Sequence, residues 1–179
     1  SGHGITEVAS LMHGGIGVRE QFSSLVNPGR SIPPAIQALA GIDDRMVSAM
    51  PSFQELAPGI AQLLEGRVFV AHNVNFDYSF IKHHMEQAGY PFHADIPCTV
   101  RLSRKICPGL PSYSLDKLCR SLDISIENRH RAAGDAEATT ILFSRILSLD
   151  TRGHVKAMLK RGSREMQLPR HLAKAMFDS

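Results

Sequence analysis

Residues 70–81 of the chain have the sequence VAHNVNFDYSFI, in which an apolar run passes through a polar loop into a helical pattern. Residues 68–71 form a short, continuously apolar run of the kind found in a buried parallel strand. Residues 72–75 interrupt this run, and from Phe76 the apolar residues recur at helical spacing until Gly89. This strand–loop–helix unit predicts an α/β fold, with the loop at the carboxyl end of a strand, where open α/β sheets bind their ligands.

The segments before this unit add a hairpin and further helices. Residues 5–12 and 17–26 are two β-forming runs separated by a Gly-Gly turn, which predicts a β-hairpin. Ser52, followed three residues later by Glu55, predicts a capping box at the start of a helix that ends before Gly66. These local signals are consistent with a sheet that is flanked by helices.

The segments after this unit predict mainly helices. Residues 96–100 predict a short edge strand, and residues 135–149 predict a long helix. Residues 150–179 predict two further helices, broken by glycine and proline. The order of elements indicates an α/β fold with a mixed sheet. The predicted buried face of the long helix consists of Ala138, Ile141, Leu142, Ile146 and Leu147.

Composition excludes several classes of protein. The chain has 179 residues, of which 43% are hydrophobic and 21% charged, and this balance suits one globular domain with a tail. No apolar run approaches the roughly 18 residues that a membrane helix needs, and the first residues lack the pattern of a signal peptide. Cys98, Cys107 and Cys119 are odd in number and show no CxxC spacing. We therefore predict reduced cysteines in a cytoplasmic protein.

The positive charge of the chain is concentrated in its last part. The formal net charge is +3, whereas residues 150–179 contain seven Lys or Arg against three Asp or Glu. Such a basic tail favours contact with a polyanion through neutralisation of its phosphates, and a solvated helix face is the alternative. Arg101, Arg104 and Lys105 on one short predicted helix present the same two alternatives, contact with a DNA backbone or ordinary solvation.

Asp77 is the first candidate for chemistry. It lies in the first turn of the predicted helix, just after the buried strand. A carboxylate at this place can bind a hard divalent cation, which prefers oxygen ligands. The alternative is that Asp77 only stabilises the positive end of the helix dipole.

His130 and Asp135 form the second candidate group, in the segment RHRAAGDAEAT of residues 129–139. A neutral histidine near pH 7 can accept a proton from water, and an aspartate at the following helix start can hold a metal that polarises this water. The alternatives are a surface loop histidine and an aspartate that acts as a helix N-cap.

Taken together, the two segments resemble the motifs of a known family. Residues 4–149 resemble the DEDDh (DnaQ-like) exonucleases, the group that includes the epsilon proofreading subunit of bacterial DNA polymerase III. VAHNVNFDYSFI is similar to the second motif of this family, and RHRAAGDAEAT is similar to the third. LVNPGRSIPPAIQALAGIDDRMV resembles the segment that connects the first and second motifs, and LPSYSLDKLC resembles the stretch before the third.

This resemblance implies a ribonuclease H-like fold and the reaction of a 3′-5′ exonuclease. Two divalent metal ions, Mg²⁺ or Mn²⁺, would be held by Asp77, Asp135 and an Asp-x-Glu pair on the first strand of the family. His130 would be the general base that helps to form a hydroxide. Asn73 and Phe76 would line the site. The turn Ala40-Gly41-Ile42 would lie near the terminal nucleotide.

The resemblance also implies the substrates and partners. Single-stranded DNA or frayed 3′ ends would be the substrate, in proofreading or repair, and RNA is the second substrate class because the same motifs occur in enzymes that trim RNA. A polymerase or a fused nuclease domain would be the partner. The alternative from another functional class is a catalytically inactive module that binds nucleic acid or a polymerase.

The chain departs from the family pattern at its start. GHGITEVASL, residues 2–11, matches the second strand of the family, so the first, central strand with its Asp-x-Glu motif is missing. We expect roughly 10–20 further residues upstream, because one strand and a loop need that many. Glu7 is then a structural or rim carboxylate rather than a metal ligand. Residues 1–149 would form an N-terminally incomplete exonuclease domain, and residues 150–179 a basic helical tail or a linker to a further domain.

Overall fold

The computed structural model describes residues 4–13, 18–72, 74–91, 97–126, 131–162 and 172–178. Residues 18–19, 74–77, 160–162 and 172–178 are described by their backbone. The helices and strands of these segments, in chain order, are β1 (Glu7–His13), β2 (Val18–Leu25), α1 (Pro34–Ala40), α2 (Asp44–Val47), α3 (Phe53–Leu64), β3 (Val68–Val70), α4 (Val74–Gln87), α5 (Thr99–Ile106), α6 (Leu115–Ser121), α7 (Ala132–Leu149), α8 (His154–Gly162) and β4 (Leu172–Asp178).

The predicted hairpin and the predicted buried strand are present. β1 pairs with β2 in an antiparallel register that runs from Glu7 opposite Leu25 to His13 opposite Val18. β3 is fully buried and has different neighbours on its two faces, as the two-residue period of a strand requires. Phe69 packs against α3 and α4, whereas the side chains of residues 68 and 70 pack against α5, α6 and α7. The sheet is therefore covered by helices on both faces.

The edge strand predicted for residues 96–100 was wrong in the part that the structure describes. Cys98 forms one isolated parallel bridge with Ala71, and α5 begins at the next residue, Thr99. The Thr99 N–H donates to the Ala71 carbonyl at 3.1 Å. The backbone therefore leaves the sheet after a single bridge, because the first turn of α5 follows directly.

A strand from the tail lies between β1 and β3. The sheet order is β2-β1-β4-β3, with β4 antiparallel to β1 and parallel to β3. The prediction of a second helix in residues 150–179 was therefore wrong for residues 172–178, although the first predicted helix is present as α8. Without the first strand of the family, the hairpin and the strand of residues 68–71 are expected to share no neighbour, and this expectation was also wrong because β4 pairs with both. Unpaired backbone groups in the middle of a sheet are costly, so pairing outweighs the helical preference of this segment.

The long helix α7 begins three residues before its predicted start, and its buried face is rotated from the predicted one. Ala138, Leu142 and Ile146 are buried as predicted, but Ile141 is 43% exposed and Leu147 is 37% exposed. Thr139, Thr140 and Phe143 are buried in their place. The prediction counted only apolar residues as buried and therefore missed the two threonines. A threonine side chain can be buried when its hydroxyl bonds to the preceding turn of the helix. Thr139 and Thr140 donate to the carbonyls of Asp135 and Ala136, each at 2.8 Å.

The first part of the tail packs onto the same core as α7. Val155 and Leu159 of α8 are buried in the cluster that contains Leu142 and Ile146. The domain boundary after residue 149 stays a prediction. Within the described segments, no helix is long and apolar enough to cross a membrane.

The capping box predicted at Ser52 is present at the start of α3. The Ser52 hydroxyl accepts from the Glu55 N–H at 3.3 Å, and a Glu55 carboxylate oxygen accepts from the Ser52 N–H at 2.7 Å. We expect Ser52→Ala to lower the free energy of unfolding by about 1 kcal/mol, measured by urea denaturation, because one helix N–H loses its acceptor. Ser52→Thr, which keeps the hydroxyl, is the matched control. Equal stability of the alanine variant and the wild type would contradict this role.

Candidate active site

The two candidate metal ligands occupy equivalent positions in two helices. Asp77 is the fourth residue of α4, and Asp135 is the fourth residue of α7. Both helices contact the central strand β4. The start of α4 also follows the carboxyl end of β3, with Ala71, His72 and Asn73 between them. The fold therefore places both aspartates in the first turns of helices that pack on the same strand.

His72 fixes the backbone at the carboxyl end of β3. It is buried, and its Nε2 lies 3.0 Å from the carbonyl oxygen of Tyr113. A carbonyl can only accept, so Nε2 must be protonated, and in the neutral ring Nδ1 accepts from the Thr99 hydroxyl at 2.9 Å. These bonds join the loop before α4 to the start of α5 and to the segment before α6. The sequence predicts only a polar loop at His72, and the spacing of His72 to Thr99 and Tyr113 holds no local signal of these bonds.

Asp135 lies in the regular first turn of α7. Its side chain is partly buried, its N–H donates to the Arg131 carbonyl at 3.0 Å, and its own carbonyl accepts from the Thr139 hydroxyl at 2.8 Å. The N-cap residue is Arg131, whose side chain makes no capping bond, so Asp135 is not the N-cap. The N-cap alternative for Asp135 was therefore wrong.

Glu7 anchors the start of α7 to strand β1. A Glu7 carboxylate oxygen accepts from the Ala132 N–H at 2.7 Å. The carboxylate also accepts from Arg131 Nε at 3.1 Å and from Arg131 Nη2 at 2.9 Å. The carboxylate thus satisfies an orphan N–H of the first helical turn and forms a bidentate pair with the guanidinium. We call this group the Glu7–Arg131 clamp.

The clamp is much more buried on the carboxylate side than on the arginine side. The side chain of Glu7 is 4% exposed and that of Arg131 is 36% exposed. A carboxylate buried to this extent is costly unless it is paired and hydrogen-bonded, as Glu7 is. Glu7 is therefore a structural carboxylate inside the fold rather than a rim residue. Because Arg131 directly follows His130 in the chain, the clamp fixes one end of the segment that contains the predicted general base.

Several predicted site residues lie outside the described part of the structure. Asn73 and His130 are in undescribed segments, and the side chains of Phe76 and Asp77 are likewise not described. Their predicted roles stay predictions. The structure shows for Asp77 only the place of its backbone, in the first turn of α4.

The turn predicted to lie near the terminal nucleotide is described in full. Gly41 has φ +67° and ends α1 in the left-handed conformation that glycine adopts without strain. Ala40 and Ile42 are buried with Ile32 and Val47 in a small core, while Gly41 is exposed. A ligand at this turn would therefore meet the Gly41 backbone and not the two flanking side chains.

Asp135 is the candidate metal ligand whose side-chain environment the structure describes. Its carboxylate offers the oxygen donors that a hard divalent cation prefers. Within the described segments, no three His, Cys, Asp or Glu side chains lie close enough together to hold a metal ion. The side chains of Asp77 and His130 are not described and were therefore not tested as members of such a cluster. The predicted ligand set stays a prediction.

Comparison of the sequence with known protein families identifies the family to which the chain belongs. A family model described as an exonuclease, of the RNase T type, matches residues 2–143. The chain belongs to this exonuclease family. The match includes both candidate motifs and ends within α7, so the predicted resemblance to DnaQ-like exonucleases is confirmed.

Curated relatives of this exonuclease domain differ in how much of their length the chain covers. The 3′-5′ exonuclease DinG of Bacillus subtilis (strain 168) is 37% identical over 147 residues, which cover 82% of this chain and 16% of that protein. The DNA polymerase III subunit epsilon of Aquifex aeolicus (strain VF5) is 36% identical over 140 residues, which cover 78% of this chain and 69% of that protein. The chain thus corresponds to a small part of DinG and to most of the epsilon subunit.

A solved structure supports the predicted fold class. Exonuclease X in complex with 5′ overhanging duplex DNA aligns with a TM-score of 0.68 and 27% sequence identity, over 89% of this chain and 92% of that chain. The exonuclease domain therefore has the ribonuclease H-like α/β fold that the resemblance implied, with a mixed sheet flanked by helices.

Proposed function

We propose that this protein is a 3′-5′ exonuclease that removes nucleotides from the 3′ ends of DNA in proofreading or repair, acting in the cytoplasm. The observation that supports this most directly is the equivalent placement of Asp77 and Asp135, each at the fourth residue of a helix that packs on β4. Because the chain belongs to the exonuclease family, we interpret Asp77 and Asp135 as ligands of catalytic metal ions. Epsilon and PolC-type polymerase relatives favour association with a polymerase.

The proposed mechanism needs two divalent cations, Mg²⁺ or Mn²⁺, for which Asp77 and Asp135 supply oxygen ligands. Bound there, the cations would supply a polarised water and stabilise charge on the leaving 3′ oxygen. His130 accepts the proton of the attacking water, for which a neutral imidazole near pH 7 is suited. The Glu7–Arg131 clamp holds the chain next to His130 and sets the direction of α7.

The substrate end is held by the turn and loop residues. Gly41 presents an exposed backbone at the end of α1, and we propose that this backbone approaches the terminal nucleotide. Asn73 and Phe76, at the junction between β3 and α4, line the same site in this proposal. Ala40 and Ile42 support the turn through the buried contacts of their side chains.

The test is the polarity and metal dependence of nucleotide release. A single-stranded DNA labelled at its 5′ end is incubated with the purified protein and Mg²⁺ or Mn²⁺. We expect a ladder of labelled products that shorten one nucleotide at a time, and no products in the presence of EDTA. A circular single strand is the matched control, because it has no 3′ end. Cleavage of the circle would contradict an exonuclease, and an RNA strand of the same sequence tests the second substrate class.

Absence of cleavage on every strand, both by this chain and by a version extended upstream through the expected Asp-x-Glu pair, would instead favour the binding module that lacks catalysis. Binding of the same DNA is then measured by fluorescence anisotropy with EDTA present. Tight binding without hydrolysis in Mg²⁺ or Mn²⁺ would replace the exonuclease proposal with that alternative.

A further inference from the structure

Helix α5 presents three positively charged side chains on one exposed face. Arg101, Arg104 and Lys105 stand at positions i, i+3 and i+4, which lie side by side on a helix surface. All three are exposed, whereas Leu102 and Ser103 on the other side are buried. The sequence of α5 contains no acidic residue. We call Arg101, Arg104 and Lys105 the basic face of α5.

No carboxylate compensates this face in the part of the chain that the structure describes. None of the ion pairs among those residues includes Arg101, Arg104 or Lys105. Like charges one helical turn apart repel each other. Arg104 and Lys105 in the last turn of α5 also interact favourably with the negative end of the helix dipole. An anionic ligand would remove this repulsion.

One arginine of the basic face is supported by a fixed aromatic ring. The guanidinium carbon of Arg104 lies 5.6 Å from the ring centroid of Tyr113, a cation–π distance. The Tyr113 hydroxyl in turn donates to the Cys107 carbonyl at 2.8 Å, which holds the ring against the end of α5. Arg104 is thus pre-positioned without being neutralised.

A cleft continues the basic face beyond the end of α5. It has a volume of about 330 Å³ and is lined by Lys105 from α5, by Arg152 from the turn before α8 and by His154, the first residue of α8. Asp150 also lines it, but its two carboxylate oxygens accept from the backbone N–H groups of His154 and Val155 at 2.9 and 2.8 Å. Asp150 keeps its negative charge in these bonds, but the cations of Lys105 and Arg152 outnumber it, so the cleft favours an anion.

The basic face starts beside the candidate active site. Thr99, the first residue of α5, bonds to His72 at the carboxyl end of β3. Lys105 lies six residues further along the helix, which is about 9 Å at 1.5 Å per residue. This distance corresponds to at most about two to three nucleotides, since the phosphate spacing along one DNA strand is at least about 3.4 Å.

We propose that the basic face of α5 and the adjoining cleft bind the phosphate backbone of the nucleic-acid strand whose 3′ end occupies the active site. The face follows the strand in its 5′ direction, and Arg152 and His154 contact the phosphates that reach the cleft. This inference rests on the proposed exonuclease function, which defines the end of the strand that is bound. Contacts of this kind are independent of base sequence and depend strongly on salt.

The binding test compares the double variant Arg101→Ala/Lys105→Ala with the wild type. Dissociation constants for a 12-nucleotide single strand are measured by fluorescence anisotropy between 50 and 200 mM salt, with EDTA present to prevent hydrolysis. We expect weaker binding and a salt slope that falls by about 0.7 for each phosphate contact removed from a single strand, roughly 1.4 in total. The control is Lys117→Ala/Arg120→Ala, which removes two exposed cations from α6 and is expected to change neither quantity.

The outcomes separate this proposal from the proposed function. An unchanged salt slope in the α5 variant, or equal weakening in the α6 variant, would overturn the backbone site. Release of nitrophenol from a thymidine 5′-monophosphate p-nitrophenyl ester requires the active site but no strand, so its rate should be the same in the wild type and the α5 variant. If no protein hydrolyses the ester or the strand, the exonuclease proposal fails while the binding comparison still decides the role of the basic face.

Thermal unfolding of the α5 variant should be unchanged or occur at higher temperature, because like-charge repulsion is removed.

Discussion

Asp135→Ala is expected to reduce the rate of nucleotide release from a single-stranded DNA by about a thousandfold or more. Loss of a carboxylate that holds a catalytic cation removes several kcal/mol of transition-state stabilisation, and each 1.36 kcal/mol corresponds to a factor of ten. The measurement is the single-turnover rate in saturating Mg²⁺ or Mn²⁺. Titration with Mn²⁺ should also show a higher metal concentration at half-maximal rate for any residual activity.

The variant should keep the backbone hydrogen bonds of position 135 in α7. Asp135 is not the N-cap of α7, and the hydrogen bonds described for it are made by its backbone N–H and carbonyl, which alanine retains. Glu137→Ala is the matched control, because it removes an exposed carboxylate two residues further along the same helix. A Glu137 variant as inactive as the Asp135 variant would show that the loss reflects the charge of α7. Full activity of Asp135→Ala would remove this residue from the catalytic site.

Glu7→Ala is expected to lower the free energy of unfolding by about 2–3 kcal/mol, measured by urea denaturation. Breaking a buried ion pair typically costs about 3–5 kcal/mol, and the lower range applies here because Arg131 is partly exposed and can be solvated. The Ala132 N–H also loses its acceptor inside the protein. The urea dependence of unfolding should stay the same if the variant unfolds from the same compact state.

The structure allows the two functions of the Glu7 carboxylate to be separated. Glu7→Gln keeps an oxygen that can accept from the Ala132 N–H but removes the charge that pairs with Arg131. We expect it to destabilise the fold less than Glu7→Ala does. A double-mutant cycle with Arg131→Ala then gives the coupling energy between Glu7 and Arg131. A coupling energy near zero would contradict the Glu7–Arg131 clamp.

Nucleotide release gives a second measure of the clamp. In variants that remain folded at the assay temperature, we expect a lower turnover rate with little change in the KM for DNA, because the clamp orients the segment after His130 without contacting the strand. A change in KM alone would instead indicate that Glu7 and Arg131 affect substrate binding.

The elements that the sequence predicted best depend on interactions between close neighbours. The capping box requires only Ser52 and Glu55, and the strand–loop–helix unit around Asp77 is visible as a change in hydrophobic period over 12 residues. The family motifs are of the same kind, since each is a continuous segment. This is why the family, the fold class and the candidate ligands could be predicted from the sequence alone.

The features that the sequence did not predict depend on residues that are far apart in the chain. Glu7 and Arg131 are separated by 124 residues, so no spacing rule relates them. The buried face of α7 was misplaced at Ile141 and Leu147 because packing against the sheet, and not apolar character alone, selects the face that is covered. A local signal for the Glu7–Arg131 clamp did exist in part, since an acidic residue within an otherwise apolar strand requires a partner.

The sequence by itself determined the family of this protein, its α/β class, and the local helices and strands that contain Asp77 and Asp135. Only the tertiary structure decided that residues 172–178 pair as a strand between β1 and β3, that Glu7 anchors α7, and that the charged residues of α5 adjoin a cleft beside α8. The physical reason is that local structure follows from the conformational preferences and hydrogen bonds of neighbouring residues. Strand pairing, burial of a charge and the shape of a cleft depend instead on which distant segments the folded chain brings into contact.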